Sequence, residues 1–112
     1  MNMTKKTIWI SFDLGVRGNY EGMYEWLDSN NARACVGELA VLKYEFEGDL
    51  VKAIRNDLQE VVGQSKNTRV YIIFREEEDS KKMKGRFVIG NRRAPPWAGY
   101  AEIEGEDDSD EF

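Results

Sequence analysis

A carboxylate closes the first mainly apolar segment of this chain. Residues 9–20 read WISFDLGVRGNY, so that Asp13 follows the apolar run and precedes Gly15 and Gly18. Ligands collect at strand ends in open α/β sheets, and Mg²⁺ prefers carboxylates and other oxygen ligands. Asp13 is therefore a candidate metal ligand and a candidate catalytic residue, with Mg²⁺ as the implied cofactor.

Asp13 has two other interpretations. The side chain can act as a local cap that accepts backbone N–H groups from the turn at 15–20. The triplet Asp-Leu-Gly also occurs in the phosphate loop of the sugar-kinase and actin superfamily, but a chain of 112 residues is too short for that two-lobed fold. A metal site and a turn cap are thus the two main interpretations.

Missing residue types limit the chemistry further. The chain has no histidine and a single cysteine, Cys35. An internal disulfide, a Cys/His zinc site and a Ser-His-Asp triad are excluded, because each needs a second cysteine or an imidazole. Catalysis would have to use carboxylates, Lys, Arg, Tyr or a hard cation. Cys35 is expected to be a small buried residue near a strand, and Tyr20 and Tyr24 are expected in the core.

Basic and acidic residues are segregated along the chain. The formal charge is −5, but residues 81–98 contain six Lys and Arg and no acid, whereas 102–112 contain seven acids and no base. A basic segment with an aromatic side chain is typical of nucleic-acid binding, in which cations contact phosphates and the ring stacks on a base. The candidate binding residues are Lys84, Arg86, Arg92, Arg93 and Trp97.

The same segment has a simpler interpretation. Residues 81–98 can form a solvated hairpin whose lysines balance the acids at 76–79, with Trp97 packed over an edge of the core. The acidic residues 102–112 can compete with nucleic acid or bind a basic protein partner. Without those acids the formal charge of the chain would be +2.

Hydrophobic periodicity predicts the order strand, helix, strand or hairpin, helix, strand, strand. Alternating residues at 7–14 predict the first strand. The i, i+3, i+4, i+7 pattern that starts at Tyr20 predicts a helix capped by Asn19. The clearest element is the second helix, from its N-cap Asp49 to Gly63.

The β regions allow more than one arrangement. Residues 33–46 form either one strand with a glycine bulge or a hairpin that turns at Gly37. Strands at 69–75 and 86–90 are predicted to pair as a hairpin, and 99–103 can return as an edge strand.

A turn at Gly37 makes the order βαββαβ with one additional C-terminal strand, which is the ferredoxin-like arrangement. The predicted fold class is therefore α+β: a ferredoxin-like α/β sandwich of one mainly antiparallel sheet with two helices on one face. Residues 1–103 are predicted to form one domain, and 104–112 have the composition of a disordered acidic tail.

The element order and the strand-one motif ISFDL resemble those of small Cas2 and VapD-type proteins. The pattern covers residues 7–75, including the strand RVYIIF, and ISFDL is its specific part. The resemblance implies a protomer that forms a homodimer, in which a metal ion between the two copies of Asp13 supports cleavage of phosphodiester bonds. It also implies RNA or DNA as the partner. Trp9 and Trp26 are expected to cover the sheet or the dimer seam.

Two function classes follow from these observations. One is a Cas2/VapD-like protein that binds nucleic acid or acts as a metal-dependent endonuclease. The other is a non-enzymatic interaction module, such as an inhibitor, immunity or adaptor protein, that binds a basic partner through its acidic surface and tail. The first apolar stretch is short and contains Ser11 and Asp13, which argues against a signal peptide and predicts a cytoplasmic protein without a membrane segment.

Overall fold

The computed structural model describes residues 3–63, 65–77 and 80–101. These residues form five strands and two helices in the order strand, helix, strand, strand, helix, strand, strand. The strands are β1 (Thr4–Asp13), β2 (Arg33–Val36), β3 (Leu39–Phe46), β4 (Arg69–Arg75) and β5 (Met83–Ile89). The helices are α1 (Tyr20–Ser29) and α2 (Leu50–Val62). Neither helix of this described part has the length and apolar character needed to cross a membrane.

The strands form one antiparallel sheet in the order β2-β3-β1-β4-β5. β1 therefore lies in the middle of the sheet, between β3 and β4. The order 2-3-1-4, with a helix after β1 and another after β3, is ferredoxin-like, and β5 extends the sheet beyond β4. The predicted α+β class with a ferredoxin-like sandwich is confirmed.

Alternation along the strands places the core on one face of the sheet. Every second residue of β3, of β4 and of β1 from Ile8 onward is buried, because successive side chains of a strand point to opposite faces. The buried strand residues include Ile8, Ile10, Phe12, Leu42, Tyr44, Phe46, Val70, Ile72 and Phe74. The helices cover this face with Met23 and Trp26 of α1 and Ile54 and Leu58 of α2. Removal of this apolar surface from water is the main stabilising contribution.

Both helices begin at the predicted caps. The side chain of Asn19 accepts the backbone N–H of Gly22 at 3.0 Å, and that of Asp49 accepts the N–H of Lys52 at 2.9 Å. α2 ends at Gly63, whose φ of 71° lies in the region that favours glycine. Local sequence signals are therefore sufficient to position both helix starts.

One carboxylate joins three elements on the covered face. Asp57 of α2 accepts the hydroxyl of Tyr44 at 2.8 Å and the Nε1–H of Trp26 at 3.2 Å, both through Oδ2. Burial of Tyr44, together with its hydrogen bond to Asp57, raises the pKa of the phenol. Trp26 also packs on Tyr44 with ring centroids 5.9 Å apart, so it covers the sheet, as predicted.

The β2–β3 region forms the hairpin, and the alternative of one strand with a glycine bulge does not occur. The chain turns at Gly37, which has a φ of 45°, and the pairing register shifts between Ala34 and Val36. Cys35 is the additional residue of this bulge, and it is exposed. The prediction of a buried Cys35 is wrong, because β2 is an edge strand of the sheet and all four of its residues are exposed.

Some predicted boundaries and environments also differ. β1 begins at Thr4 rather than at residue 7, and β5 spans 83–89 rather than 86–90. Tyr20 is partly buried against the core, whereas Tyr24 is 56% exposed and its ring meets that of Phe12 in a T-shaped contact. The prediction of Tyr24 as a core residue is therefore wrong.

The chain after β5 forms no strand in its described part. Gly99 has a φ of 85° and lies in a turn, so the predicted edge strand at 99–103 does not form over 99–101. Trp97 is 71% exposed, and so it is not packed over an edge of the core. Residues 102–103 and the predicted tail 104–112 lie outside the described residues.

Candidate nucleic-acid interface on the open sheet face

Asp13 ends β1, and both of its carboxylate oxygens have a partner. Oδ1 accepts the backbone N–H of Gly15 at 3.1 Å, and Oδ2 accepts an Nη2–H of Arg69 at 2.9 Å. Arg69 is the residue opposite Asp13 in the β1–β4 pairing. The predicted turn cap is confirmed, and the structure adds a cross-strand ion pair.

These contacts define the electrostatics of Asp13. The hydrogen bond from Arg69 and then that from Gly15 hold the pKa of the carboxyl below its ordinary value, and the charge of Arg93 acts in the same direction. The Asp13 side chain is 48% exposed, so water screens the pair substantially. Asp13 is a carboxylate throughout the neutral pH range.

The surroundings of Asp13 suit an ion pair better than a metal. A magnesium ion would have to displace Arg69 and would be repelled by its positive charge. Within the ranges that the structure describes, no three Cys, Asp or Glu side chains are grouped so that they could hold a metal ion. The described residues around Asp13 in one chain therefore do not fit a magnesium site. Mg²⁺ binding and catalysis by Asp13 stay predictions that require a second copy of Asp13.

Both helices pack on one face of the sheet in the described part of the chain, which leaves the other face open. This open face contains the strand residues that alternate with the core: Trp9 on β1, Val41 on β3, Ile73 on β4 and Phe87 on β5. Each of these four side chains is partly buried. The open face therefore has an apolar centre without a covering element.

A depression of about 630 Å³ on the open face is lined in part by Trp9 and is called the Trp9 depression below. It is lined by Lys5, Lys6, Thr7, Trp9, Lys43, Arg75 and Met83. None of the described residues that line it is acidic. The acidic residue Glu45 lies opposite Lys5 in the β1–β3 pairing and therefore borders the depression. The depression thus combines an indole ring with several cations.

A second depression of about 410 Å³, the Asp13 depression, continues along the open face and includes Ile73, which is opposite Trp9. In it the rings of Tyr71 and Phe87 meet edge to face, with centroids 4.7 Å apart. The Arg92 guanidinium lies 5.8 Å from the centroid of the Phe87 ring. Aromatic rings and cations therefore extend over both halves of the open face.

The five predicted nucleic-acid-binding residues are not brought together. Lys84 and Arg86 lie opposite Phe74 and Ile72, so they are on the helix side of β5. Lys84 Nζ is also paired with Glu76 Oε1 at 2.6 Å. This ion pair agrees with the interpretation that lysines of the segment balance the preceding acids.

The other three residues follow β5. Arg92 lies over Phe87 and contributes to the open face. Arg93 donates Nη2–H to the backbone carbonyl of Lys66, and Trp97 is largely exposed. Arg92 is therefore the member of the predicted set that lies on the open face beside the aromatic rings.

Sequence reasoning missed the set around Trp9. The alternation of Trp9 with Ile8 and Ile10 already placed the indole on the face opposite the core. The strand register was the missing information, because Lys43 and Arg75 come to the same depression from distant positions in the chain.

Comparisons of the chain with known protein families, with curated proteins and with solved structures give no match. The function must therefore be argued from the geometry of the open face and the charges around it.

Proposed function

We propose that this protein binds single-stranded nucleic acid, RNA or DNA, on the open face of its sheet. One observation supports the proposal most strongly: Trp9 lies on the central strand, within a depression that Lys5, Lys43 and Arg75 also line. No acidic residue is among the described residues that line the depression.

The chemistry of single strands fits this arrangement. Unpaired bases expose π faces that stack on aromatic side chains, and each such contact contributes about 1–3 kcal/mol with little dependence on sequence. The cations contact the phosphates of the same strand. The Tyr71–Phe87 pair and Arg92 offer a similar combination further along the face. A strand lying across β1 and β4 would meet both groups.

The central test is a binding measurement with matched aromatic variants. Fluorescence anisotropy with labelled short RNA and DNA oligonucleotides is expected to show that Trp9→Ala weakens binding about ten- to hundredfold. Tyr24→Ala removes an exposed ring from α1 and should leave the affinity unchanged. Equal affinities of Trp9→Ala and the unchanged protein would disprove the open face as the binding surface.

Trp97→Ala separates this proposal from binding through residues 81–98. If the open face binds the strand, Trp97→Ala should have a smaller effect than Trp9→Ala. Removal of the Lys43 charge by Lys43→Gln should weaken binding and reduce the salt dependence by about one phosphate contact. A larger loss from Trp97→Ala would move the binding surface to the chain after β5.

Cleavage of the bound strand is a separate expectation that depends on Asp13. The same oligonucleotides, incubated with and without Mg²⁺ or Mn²⁺, would reveal cleavage, and Asp13→Asn should abolish it. Size-exclusion chromatography with light scattering tests the homodimer that the metal site needs. Binding without cleavage in a monomeric protein would support a binding function and refute the endonuclease.

The outer surface of α1 favours a second candidate, a non-enzymatic interaction module. Glu21, Glu25 and Asp28 surround the exposed Tyr24 there. A basic protein partner would complement these carboxylates. Capture of such a partner by the unchanged protein, lost on substitution of the three acids by Gln but retained by Trp9→Ala, would support this function.

A further inference from the structure

A third depression lies where the chain leaves β5, and neither the Trp9 depression nor the Asp13–Arg69 pair accounts for it. It has a volume of about 560 Å³ and lies between the loop before β4 and the residues after β5. We call it the Arg93 pocket. Its charged and hydroxyl side chains are Arg55, Ser65, Lys66, Thr68, Arg92 and Arg93. The described residues that line it include no acid.

Backbone contacts orient two cations of the Arg93 pocket. Arg55 donates Nε–H to the carbonyl of Val88 at 2.9 Å, and Arg93 donates Nη2–H to the carbonyl of Lys66. Carbonyl acceptors have no net charge, so they position the guanidinium groups without cancelling their positive charge. The pocket is therefore both positively charged and preorganised.

The two segments that form the pocket pack closely against each other. Thr68 is only 2% exposed, and its Oγ1 lies 2.9 Å from Ser65 Oγ. A Cβ at Gly90 would lie 2.6 Å from the Thr68 carbonyl oxygen, and Gly90 has a φ of 82°. Glycine at this position allows the chain after β5 to approach the loop before β4.

We propose that the Arg93 pocket binds a phosphate group. A guanidinium presents paired N–H donors that match two phosphate oxygens, and a lysine adds a compact positive charge. Ser65 is an exposed residue beside these cations, and its hydroxyl can donate to a phosphate oxygen when Thr68 is the donor in their mutual hydrogen bond. The Asp13 carboxylate, in the adjacent depression, is already paired with Arg69.

The pocket is continuous with the open face, because Arg92 lines both the Arg93 pocket and the Asp13 depression. A strand stacked on Trp9 and on the Tyr71–Phe87 pair would place one of its phosphates here; this step rests on the proposed function. The phosphate belongs either to a strand end, as a phosphomonoester, or to the backbone, as a phosphodiester.

The first experiment uses inorganic phosphate and the full chain. Titration followed by ¹⁵N–¹H NMR is expected to shift the amide signals of 65–68 and 90–93. Lys66→Gln and Arg93→Gln should each weaken phosphate binding about tenfold, the effect of losing one charged hydrogen-bonding contact. Lys81→Gln removes the same charge from the loop at the opposite end of β4 and β5 and should change nothing. Unshifted signals in both segments would overturn the proposal.

The second experiment identifies the source of the phosphate. One oligonucleotide is compared with a 5′-phosphate, a 3′-phosphate and two hydroxyl ends. Tighter binding of a phosphorylated strand, lost in Arg93→Gln, assigns the pocket to a strand end. Equal binding of all three, weakened equally in Arg93→Gln with a salt slope smaller by about one, assigns it to the backbone.

The two experiments distinguish refutation of nucleic-acid binding from refutation of the phosphate site. If no strand binds but inorganic phosphate shifts the two segments, the pocket stands and the nucleic-acid proposal is refuted. The pocket is refuted, and the nucleic-acid proposal is kept, if strands bind but the Lys66 and Arg93 variants bind both phosphate and every strand as tightly as the unchanged protein does. Thermal unfolding of Arg93→Gln verifies that its contact with Lys66 is not needed for folding.

Discussion

The two faces of the sheet use the same strands in different ways. On the covered face, Ile72 is fully buried, and the polar atoms of Tyr44 and Trp26 share the acceptor Asp57. On the open face, Ile73 of the same strand is only partly buried, and Trp9 lies among cations. The covered face therefore determines stability, whereas the open face is available to a ligand.

Two surfaces of the molecule also differ in charge. The outer surface of α1, on the helix side, has Glu21, Glu25 and Asp28, whereas the Trp9 depression is lined by lysines and an arginine. The net charge of −5 conceals this separation. An approaching anionic strand would be repelled by α1 and attracted to the open face. The net charge is thus a poor guide to the charge of either surface.

The largest expected effect comes from two neighbouring isoleucines on opposite faces. Ile72→Ala should lower the free energy of unfolding by about 2–5 kcal/mol, because it leaves a cavity in the core. Ile73→Ala removes the same atoms from the open face and should have a much smaller effect on stability. Urea denaturation of both variants measures the difference. Equal losses of unfolding free energy in the two variants would contradict the conclusion that the covered face determines stability.

Asp57→Ala should have the next largest effect. It leaves the hydroxyl of Tyr44 and the indole N–H of Trp26 without their shared acceptor, which costs about 1–3 kcal/mol. Oligonucleotide binding should be unaffected, since Asp57 lies on the helix side. Asp28→Ala is the control, because it removes an exposed carboxylate from α1. A stability of Asp57→Ala no lower than that of this control would show that the three-element contact is dispensable.

The half-exposed Asp13–Arg69 pair is expected to contribute less to stability than the residues of the covered face. The pKa of Asp13 is lower in the folded chain, so its carboxylate stabilises the fold above the ordinary value of 3.8, and this contribution is lost as the pH falls through the lowered pKa. Asp13→Asn should therefore cost up to about 1 kcal/mol at pH 7, as expected for a half-exposed pair. The difference from the unchanged protein should vanish in strong acid, and a constant difference in denaturation at both pH values would exclude the ion pair as its cause.

The smallest effect is expected at Tyr71. Its hydroxyl is buried beside Gly85 and has no hydrogen-bond partner within the described residues. Tyr71→Phe should therefore leave the stability unchanged or raise it by up to about 1 kcal/mol, because no hydrogen bond is lost. The Phe87 contact, and strand binding with it, should persist. A clear loss of stability on removal of this hydroxyl would reveal a partner for it.

The sequence predicts the helices and the core of this fold better than it predicts the surfaces. Asn19, Asp49 and Gly63 act through contacts within a few residues, so their pattern is sufficient. The predicted environments of Cys35 and Tyr24 are wrong, because burial depends on which strands lie at the edges of the sheet and which side of a helix meets it. Those are properties of the assembled sheet rather than of a local segment.

In the candidate site, too, the sequence predicts contacts within a local segment but not contacts that depend on strand pairing. The cap at Asp13 is local and could be predicted, whereas its ion pair with Arg69 depends on strand register. The basic segment 81–98 is continuous in sequence, but the strand alternation sends Lys84 to the helix side while Arg92 lies beside Phe87. A run of like charges in a sequence does not imply one surface when part of it forms a strand.

The bulge at Cys35 limits self-association through the β2 edge of the sheet. A regular outer strand exposes unpaired N–H and C=O groups on which a further chain can pair, and this is a common route to aggregation. β2 has only four residues, and its pairing register is interrupted after Ala34, so it presents little regular edge for such growth. Straightening this edge by deletion of Cys35 should therefore make the protein more prone to assemble into fibrils.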